Sequence, residues 1–249
     1  MPARAMEQAE YSNVYQAEAR YWWYRATHEL VIHYVRRLRR TGMCILDAGC
    51  GTGGLLQRLR AYGQVEGLDV EAAAVAFCRA RGLDGVSQAD LNTWSPPAER
   101  YDVVTSVDVL YHEAITDDAA VLRTLWTSLK PGGLLILHLP AFECLRRSHD
   151  VTVATRRRYT TRQVRRLLMD AGFIAARVRY RLPLLFMLIL LRKWLHAGAR
   201  NESGSDLQIL PGWLNATLLA LARLGNTLLY YGLRWPCGSS IIATGLKPL

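Results

Sequence analysis

The chain of 249 residues is 51% hydrophobic and carries a formal net charge of +10. This length and apolar content suit one large α/β domain with an elaboration and leave little room for a second full domain. The five cysteines are scattered and none forms a CxxC pair, which favours reduced thiols in a cytosol over a zinc site or a disulfide framework. Residues 1–10 lack the apolar region of a secretory signal. We therefore expect a cytoplasmic protein.

The positive charge is concentrated in one part of the chain. Thirteen Lys and Arg residues but only two acids lie between Arg146 and Lys193. Such a basic segment can bind nucleic-acid phosphates, anionic lipid headgroups or an acidic substrate, and it can also be an ordinary solvated surface.

The predicted elements alternate along the chain. The first forty residues are predicted to be helical, with an aromatic cluster at 21–24 and a stop at Thr41-Gly42. Five short apolar runs are then predicted as strands, at residues 44–48, 65–69, 85–89, 103–107 and 134–139. Helices are expected to begin near Gly53, Glu71, Thr116 and Thr160. This alternation predicts a parallel sheet with helices on both faces, in which ligands bind beyond the carboxyl ends of the strands.

The most specific signal follows the first strand and reads DAGCGTGG over residues 47–54. Gly49, Gly51 and Gly54 also satisfy the GxGxxG pattern of dinucleotide-binding enzymes, so the glycines alone are ambiguous. Asp47 decides between the two classes of ligand, because a carboxylate repels a pyrophosphate but attracts the ammonium and sulfonium of S-adenosylmethionine. The glycines let the backbone pass close to that ligand.

Two further acids close predicted strands. Asp69 ends the second strand, 20 residues after Gly49, where an acid can bind both ribose hydroxyls. Asp90 ends the third, where it can accept a hydrogen bond from the adenine amino group. Either acid could instead cap the helix that follows it.

These residues resemble the motifs of class I S-adenosylmethionine-dependent methyltransferases over roughly residues 41–181 and a last strand. DAGCGTGG is similar to the first motif of that family, and other similarities lie at residues 67–70, 89–91, 101–106 and 129–133. The resemblance implies S-adenosylmethionine as cofactor and S-adenosylhomocysteine as product. The residues it implies at the cofactor are Asp47, Gly49, Cys50, Gly51, Gly53, Asp69, Val70, Asp90, Leu91 and Ser106.

The fold implied by the same resemblance is an α/β, Rossmann-like, doubly wound and mostly parallel seven-stranded sheet. An N-terminal helical cap is expected over residues 1–41 and the cofactor-binding core over 42–180. A hydrophobic helical insertion is expected over 181–238, before a final core strand at 239–249.

The ends of the chain resemble a narrower bacterial group of small methyltransferases with a WWYR-like helix, here at residues 22–25. In this helix Trp23, Tyr24 and Arg25 are expected to form a lid over the cofactor, with Arg25 binding its carboxylate. Aromatic packing of the helix explains the cluster equally well. The group's HD…HRRRY-like motif reads HDVTVATRRRY at 149–159, and Thr155 replaces its second histidine. That replacement argues against a two-histidine mechanism and against a His/Asp metal site.

Catalysis by in-line displacement depends mostly on positioning, and a base is needed only for a protonated acceptor. His149 with Asp150 is the first candidate for that base, because imidazole titrates near working pH and a carboxylate can fix its tautomer. His112 and His138 are the other candidates. Each of these histidines could also serve packing alone.

The insertion is long and apolar. Its uncharged stretches at 182–191 and 207–222 are shorter than the roughly 20 residues that span a bilayer. Its tryptophans and tyrosines suit an interface that is wet on one side. The insertion is therefore predicted to lie in an anionic membrane surface or to line a pocket for a lipophilic acceptor, with packing on the sheet or in a dimer interface as the alternative.

The segment after the fourth strand limits the acceptor. It reads VDVLYH at 107–112 and lacks the NPPY-like loop with which other methyltransferases hold a planar nitrogen. We therefore expect methyl transfer to a lipophilic small molecule, with oxygen favoured over carbon or nitrogen, on the inner face of the cytoplasmic membrane. An RNA methyltransferase that uses the basic segment is the alternative enzyme. A non-catalytic S-adenosylmethionine-binding protein is the third class, and the oligomeric state stays open.

Overall fold

A computed structural model describes residues 8–195 and 210–249 and contains a seven-stranded sheet in the order β3-β2-β1-β4-β5-β7-β6. The first five strands are parallel, and β7 is antiparallel to both β5 and β6. The strands are β1 Met43–Ala48, β2 Gly63–Asp69, β3 Val86–Gln88, β4 Tyr101–Val107, β5 Leu129–Pro140, β6 Ile174–Arg181 and β7 Ser240–Leu246.

Helices cover both faces of this sheet. They are α1 Gln8–Ala17, α2 Trp22–Arg36, α3 Gly54–Leu59, α4 Ala72–Ala80, α5 Asp118–Ser128, α6 Ser148–Thr152, α7 Thr161–Asp170, α8 Pro183–Leu195 and α9 Gly212–Tyr230. Helices α2, α3 and α9 share one core cluster with the sheet. Helices α5 and α7 share another. The Rossmann-like fold class, with its helical cap and its insertion before the last strand, is confirmed.

Local capping explains where two of the helices begin. The Asp117 side chain accepts hydrogen bonds from two backbone N–H groups in the first turn of α5. Thr160 caps α7, and Gln163 completes a capping box with it. Both helices begin within two residues of the positions expected from the sequence.

The cap and the insertion pack on each other. Trp22 and Ala26 of α2 form a buried cluster with Leu219 and Ala222 of α9. The side chain of Asn215, also on α9, accepts a hydrogen bond from the backbone N–H of Trp22 at 2.9 Å. Among the helices of the described residues, none is both long and apolar enough to cross a membrane.

Candidate active site

The glycine loop lies beyond the carboxyl end of β1. Gly49, Gly51 and Gly53 all have positive φ, at 84°, 52° and 83°, a region that other L-residues adopt at a cost. A Cβ atom at Gly49 would lie 2.2 Å from Val109, whereas one at Gly51 would meet nothing within 4 Å. At Gly49 the loop therefore packs against Val109, which lies just after β4. At Gly51 the loop faces open space.

Asp47 is the buried acid at the base of this loop. Its side chain accepts a hydrogen bond of 2.6 Å from the Thr105 hydroxyl. Burial raises the pKa of Asp47 to about 7, the Thr105 hydrogen bond opposes that shift, and the charges of Glu18 and Asp69 add to it. A site with three neighbouring acids favours a cationic ligand, so these residues fit the ammonium and sulfonium of S-adenosylmethionine.

Glu18 is a residue of this site that the sequence did not indicate. Its carboxylate accepts hydrogen bonds from the Thr52 hydroxyl at 2.6 Å and from Arg81 at 2.7 Å. Burial raises its pKa, and its bonds to Thr52 and Arg81 oppose the shift. The residue lies in the turn directly after α1, where the sequence carries no motif, so only its contact with the loop identifies it.

Asp69 lies directly against the glycine loop. It accepts a hydrogen bond of 2.8 Å from the backbone N–H of Gly51 and one of 3.0 Å from that of Glu71. Burial raises the pKa of Asp69, and these backbone hydrogen bonds oppose the shift. The carboxylate thus joins the loop to the residue before α4, and its contact with the ribose stays a prediction.

The other residues implied at the cofactor differ in exposure. Asp90 is exposed and accepts two hydrogen bonds from Asn92, while Val70 is 44% exposed and Leu91 is buried. Ser106, at the end of β4, is buried with a hydroxyl that has no hydrogen-bond partner.

The side chains of Cys50, Trp23 and Arg25 lie in different surroundings. The Cys50 thiol packs in a core cluster, 3.9 Å from the thiol of Cys78. The Trp23 ring contacts the ring of His138 edge to face, at 5.5 Å between centroids. Arg25 is half-buried in the first turn of α2.

The expected catalytic pair is described in part. His149 lies in α6, and its side chain lies outside the described residues. The buried carboxylate of Asp150 forms a bidentate ion pair with Arg158, at 2.8 and 3.0 Å. Burial acts to raise the pKa of Asp150, but the bonds and charge of Arg158 outweigh it and the pKa is lowered.

His112 lies near the cofactor-binding acids. Its Nδ1 accepts a hydrogen bond of 3.1 Å from the backbone N–H of Ala114, which assigns the proton to Nε2. Burial lowers the pKa of His112, and the charges of Glu113 and Asp69 oppose the shift. A neutral imidazole therefore lies within electrostatic reach of Asp69.

The arginine run at 156–158 is used inside the fold. Arg156 and Arg157 both donate to the buried carboxylate of Asp118, which also accepts a hydrogen bond from the Tyr159 hydroxyl. These contacts connect the chain after β5 to the start of α5, and Arg158 pairs with Asp150 within the same segment. These three arginines of the basic segment are therefore committed to internal ion pairs.

A second polar cluster lies at the ends of β4, β5 and β6. Nδ1 of His138 is 3.1 Å from both carboxylate oxygens of Asp108, and its Nε2 is 3.3 Å from Nη1 of Arg181. Arg181 also donates to Thr27 of α2 at 2.8 Å and to Asn226 of α9 at 2.9 Å. Burial lowers the pKa of Arg181 to about 10, and the charge of Asp108 opposes the shift.

The fold, the glycine loop and its acids are those of a class I S-adenosylmethionine-dependent methyltransferase. Residues 15–178 match a family model described as a methyltransferase domain, and the chain belongs to that family. S-adenosylmethionine is the methyl donor of this class of enzyme.

Curated relatives in the same family are ubiquinone biosynthesis O-methyltransferases. The chain is 30% identical over 135 residues to the one from Stutzerimonas stutzeri, a match that covers 48% of this chain and 57% of the relative. It is 31% identical over 152 residues to the one from Xanthomonas axonopodis, covering 52% and 63%. The matches thus span less than two thirds of these relatives.

Solved structures show the same fold. A putative methyltransferase of Haloferax volcanii in complex with the Trm112 activator has a TM-score of 0.62 at 19% identity, covering 97% of this chain and 96% of that one. A possible histamine N-methyltransferase of Thermotoga maritima has a TM-score of 0.60 at 17% identity, covering 96% and 95%. At these identities the likeness shows the fold alone.

Proposed function

We propose that the enzyme transfers a methyl group to an oxygen of a lipophilic small molecule at the surface of a membrane. One observation carries this proposal. Trp23 contacts His138 at the end of β5 and also packs against the cluster formed by α2 and the apolar insertion. These contacts support an acceptor that enters between the insertion and the end of β5.

The residues that would hold the cofactor surround the glycine loop. The buried carboxylate of Asp47 suits the ammonium group, and Asp69 suits the ribose hydroxyls. The open space at Gly51 allows the ligand to approach the backbone. S-adenosylmethionine supplies an activated methyl group, and these residues bind and orient its carrier.

Oxygen as the methylated atom is supported by the relatives. Those described above are O-methyltransferases of ubiquinone biosynthesis, which is the chemistry expected for a lipophilic acceptor. Because the matches cover about half of this chain, they bear on the cofactor-binding core more than on the insertion. The acceptor class is therefore proposed from the insertion, and the reaction type from the core.

The insertion supports a membrane surface as the place of action. Trp194 on α8 is 77% exposed and Trp213 on α9 is 72% exposed, and α8 ends with Arg192 and Lys193 in its last turn. Tryptophan beside cations is typical of a helix that binds an anionic interface. Other exposed apolar residues of the two helices are Leu184, Met187, Leu188, Leu191, Leu195, Leu221 and Leu224.

We place this surface on the cytoplasmic side of the membrane. All five cysteines are free in the structure, including the closely spaced Cys50 and Cys78. Free thiols so close together suit a reducing compartment. An RNA methyltransferase has less support, because part of the basic segment is paired internally with Asp118 and Asp150.

The test is product analysis after incubation with isotope-labelled S-adenosylmethionine. Wild-type protein is given a bacterial lipid extract in one reaction and total RNA in another, and an Asp69→Ala variant serves as the control. A labelled methyl ether in the lipid fraction is expected from wild type, with much less from the variant. Label in RNA alone would support the alternative enzyme. Cofactor binding without turnover on either material would indicate a non-catalytic binding protein.

A further inference from the structure

We propose that Asp108 receives the proton of the acceptor hydroxyl and that His138 and Arg181 are positioning residues for its carboxylate. The inference rests on the proposed O-methyl transfer and deepens it, because it assigns the proton acceptor of that reaction.

Asp108 lies beside the glycine loop, where we expect the acceptor to meet the cofactor. It is the first residue after β4, and its neighbour Val109 packs on Gly49 of the glycine loop. Its side chain is 20% exposed, so a bound molecule can reach the carboxylate. Its φ of 57° is a left-handed conformation, which aspartate adopts more readily than most residues other than glycine.

The hydrogen bonds of His138 assign its proton. Its Nε2 faces the Nη1 of Arg181, which can only donate, so Nε2 accepts and Nδ1 carries the proton. Nδ1–H then donates to the carboxylate of Asp108 at 3.1 Å. Because both ring nitrogens are engaged, His138 holds the carboxylate and does not itself take the acceptor's proton. Under this proposal His138, one of the histidines expected as the base, positions the base instead.

Arg181 places a buried positive charge beside His138. Its side chain is 1% exposed, and its Nη2 has no hydrogen-bond partner. A buried guanidinium with an unpaired donor is costly. The negative charge of Asp108, on the other side of the His138 ring, acts to raise the pKa of Arg181. We therefore assign Arg181 the role of holding His138 in the tautomer and orientation that position the carboxylate of Asp108.

The step is balanced in atoms and charge. The acceptor oxygen forms a bond to the methyl carbon while its proton passes to the carboxylate of Asp108. The bond between that carbon and sulfur breaks with its electron pair left on sulfur. The products are the methyl ether, S-adenosylhomocysteine and a neutral Asp108, which returns its proton to water.

The test compares two aspartates at opposite ends of β4, Asp102 within the strand and Asp108 directly after it. Asp108→Asn removes the proton acceptor at nearly constant shape, and Asp102→Asn makes the same change at the other end of β4, where the acid pairs with Lys130. We expect turnover on the lipid acceptor to fall about 10²-fold or more in Asp108→Asn. We expect Asp102→Asn to retain it. Affinity for S-adenosylhomocysteine, measured by calorimetry, is expected to stay within about twofold in both.

A second variant guards against misfolding. Asp108→Gly suits the positive φ and removes the carboxylate, and added formate is expected to restore part of its turnover.

The positioning role of His138 is tested separately. His138→Gln is expected to lower kcat with little change in KM for the acceptor. ¹⁵N NMR of histidine-labelled wild type reports the tautomer without any acceptor, and we expect the His138 proton on Nδ1.

The outcomes separate the two proposals. Full turnover in Asp108→Asn or Asp108→Gly, with an active wild type, would overturn the role of Asp108 and leave the proposed function intact. A proton on Nε2 of His138 would overturn the positioning arrangement. A wild type that methylates nothing in the lipid extract would overturn the proposed function, and this inference with it.

Discussion

At the scale of single residues, the cofactor site is defined by acids that the fold forces together. Asp47 and Asp69 come from neighbouring parallel strands, and Glu18 reaches them from the cap. Each pays a desolvation cost that raises its pKa. A cationic ligand offsets that cost, so binding and protonation at this site are linked.

Cofactor binding is therefore expected to weaken in acid because of Asp47. Below its pKa of about 7 the free protein holds a proton on Asp47, and a cationic ligand must displace it. The affinity for S-adenosylmethionine should fall by up to about tenfold per pH unit below pH 7. Calorimetry between pH 5.5 and about 7.5 measures the slope. Asp47→Asn should bind more weakly at pH 7.5 and lose most of the slope, and an equally steep slope in that variant would assign it to another group.

Close approach at Gly51 can be tested against a matched glycine. Gly51 and Gly82 both have positive φ and open space around a Cβ, so alanine at either should cost about 1 kcal/mol of folding free energy. Only Gly51 lies on the cofactor loop. Gly51→Ala should lower the affinity for S-adenosylhomocysteine at least tenfold, while Gly82→Ala leaves it unchanged. Equal affinities in the two variants would show that the ligand does not pass close to Gly51.

At the scale of helices and strands, the sequence predicted those features that depend on interactions between residues close together in the chain. The buried parallel strands and the glycine loop were visible because each carries its signal within a few residues. Asp108 could also have been predicted from the sequence, because the rule that placed Asp69 and Asp90 at strand ends applies equally to β4. The pairing of Arg156 and Arg157 with Asp118 and the contact of Glu18 with Thr52 were not, because they join residues 34 or more positions apart.

The arginine run predicts a stability effect at Asp118. This buried acid accepts from Arg156, Arg157 and Tyr159, and hydrogen bonds to a charged group contribute about 1.5–3 kcal/mol. Asp118→Asn should lower the free energy of unfolding by about 2 kcal/mol, seen as a drop of roughly 4–8 °C in Tm. Asp170→Asn is the control, because its pair with Arg166 on α7 is exposed and should change stability by less than about 0.5 kcal/mol. Equal melting temperatures of Asp118→Asn and Asp170→Asn would mean that the ion pairs of the arginine run do not stabilise the fold.

At the scale of the whole molecule, the cap, the site and the insertion form one connected structure. Arg181 at the end of β6 is bonded to Thr27 of the cap and to Asn226 of the insertion. Asn226 in turn donates to the backbone of Ala26. Docking of α9 therefore bears on the position of His138 and Asp108. A membrane surface that binds the insertion would affect the position of α9. The hydrogen bonds of Asn226 and Arg181 would pass that change on to His138 and Asp108.

The last prediction concerns binding to anionic vesicles. The protein should float with phosphatidylglycerol vesicles and bind less to phosphatidylcholine, because each well-placed cation contributes about 1 kcal/mol near an anionic surface. Binding should weaken as salt rises. Met187→Glu on α8 should weaken it about tenfold at every salt concentration, since partial burial of a methionine contributes about 1.5 kcal/mol. Met169→Glu is the matched control, because Met169 on α7 is 63% exposed and Met187 is 57% exposed. A wild type indifferent to both vesicles would leave the insertion as the wall of an acceptor pocket.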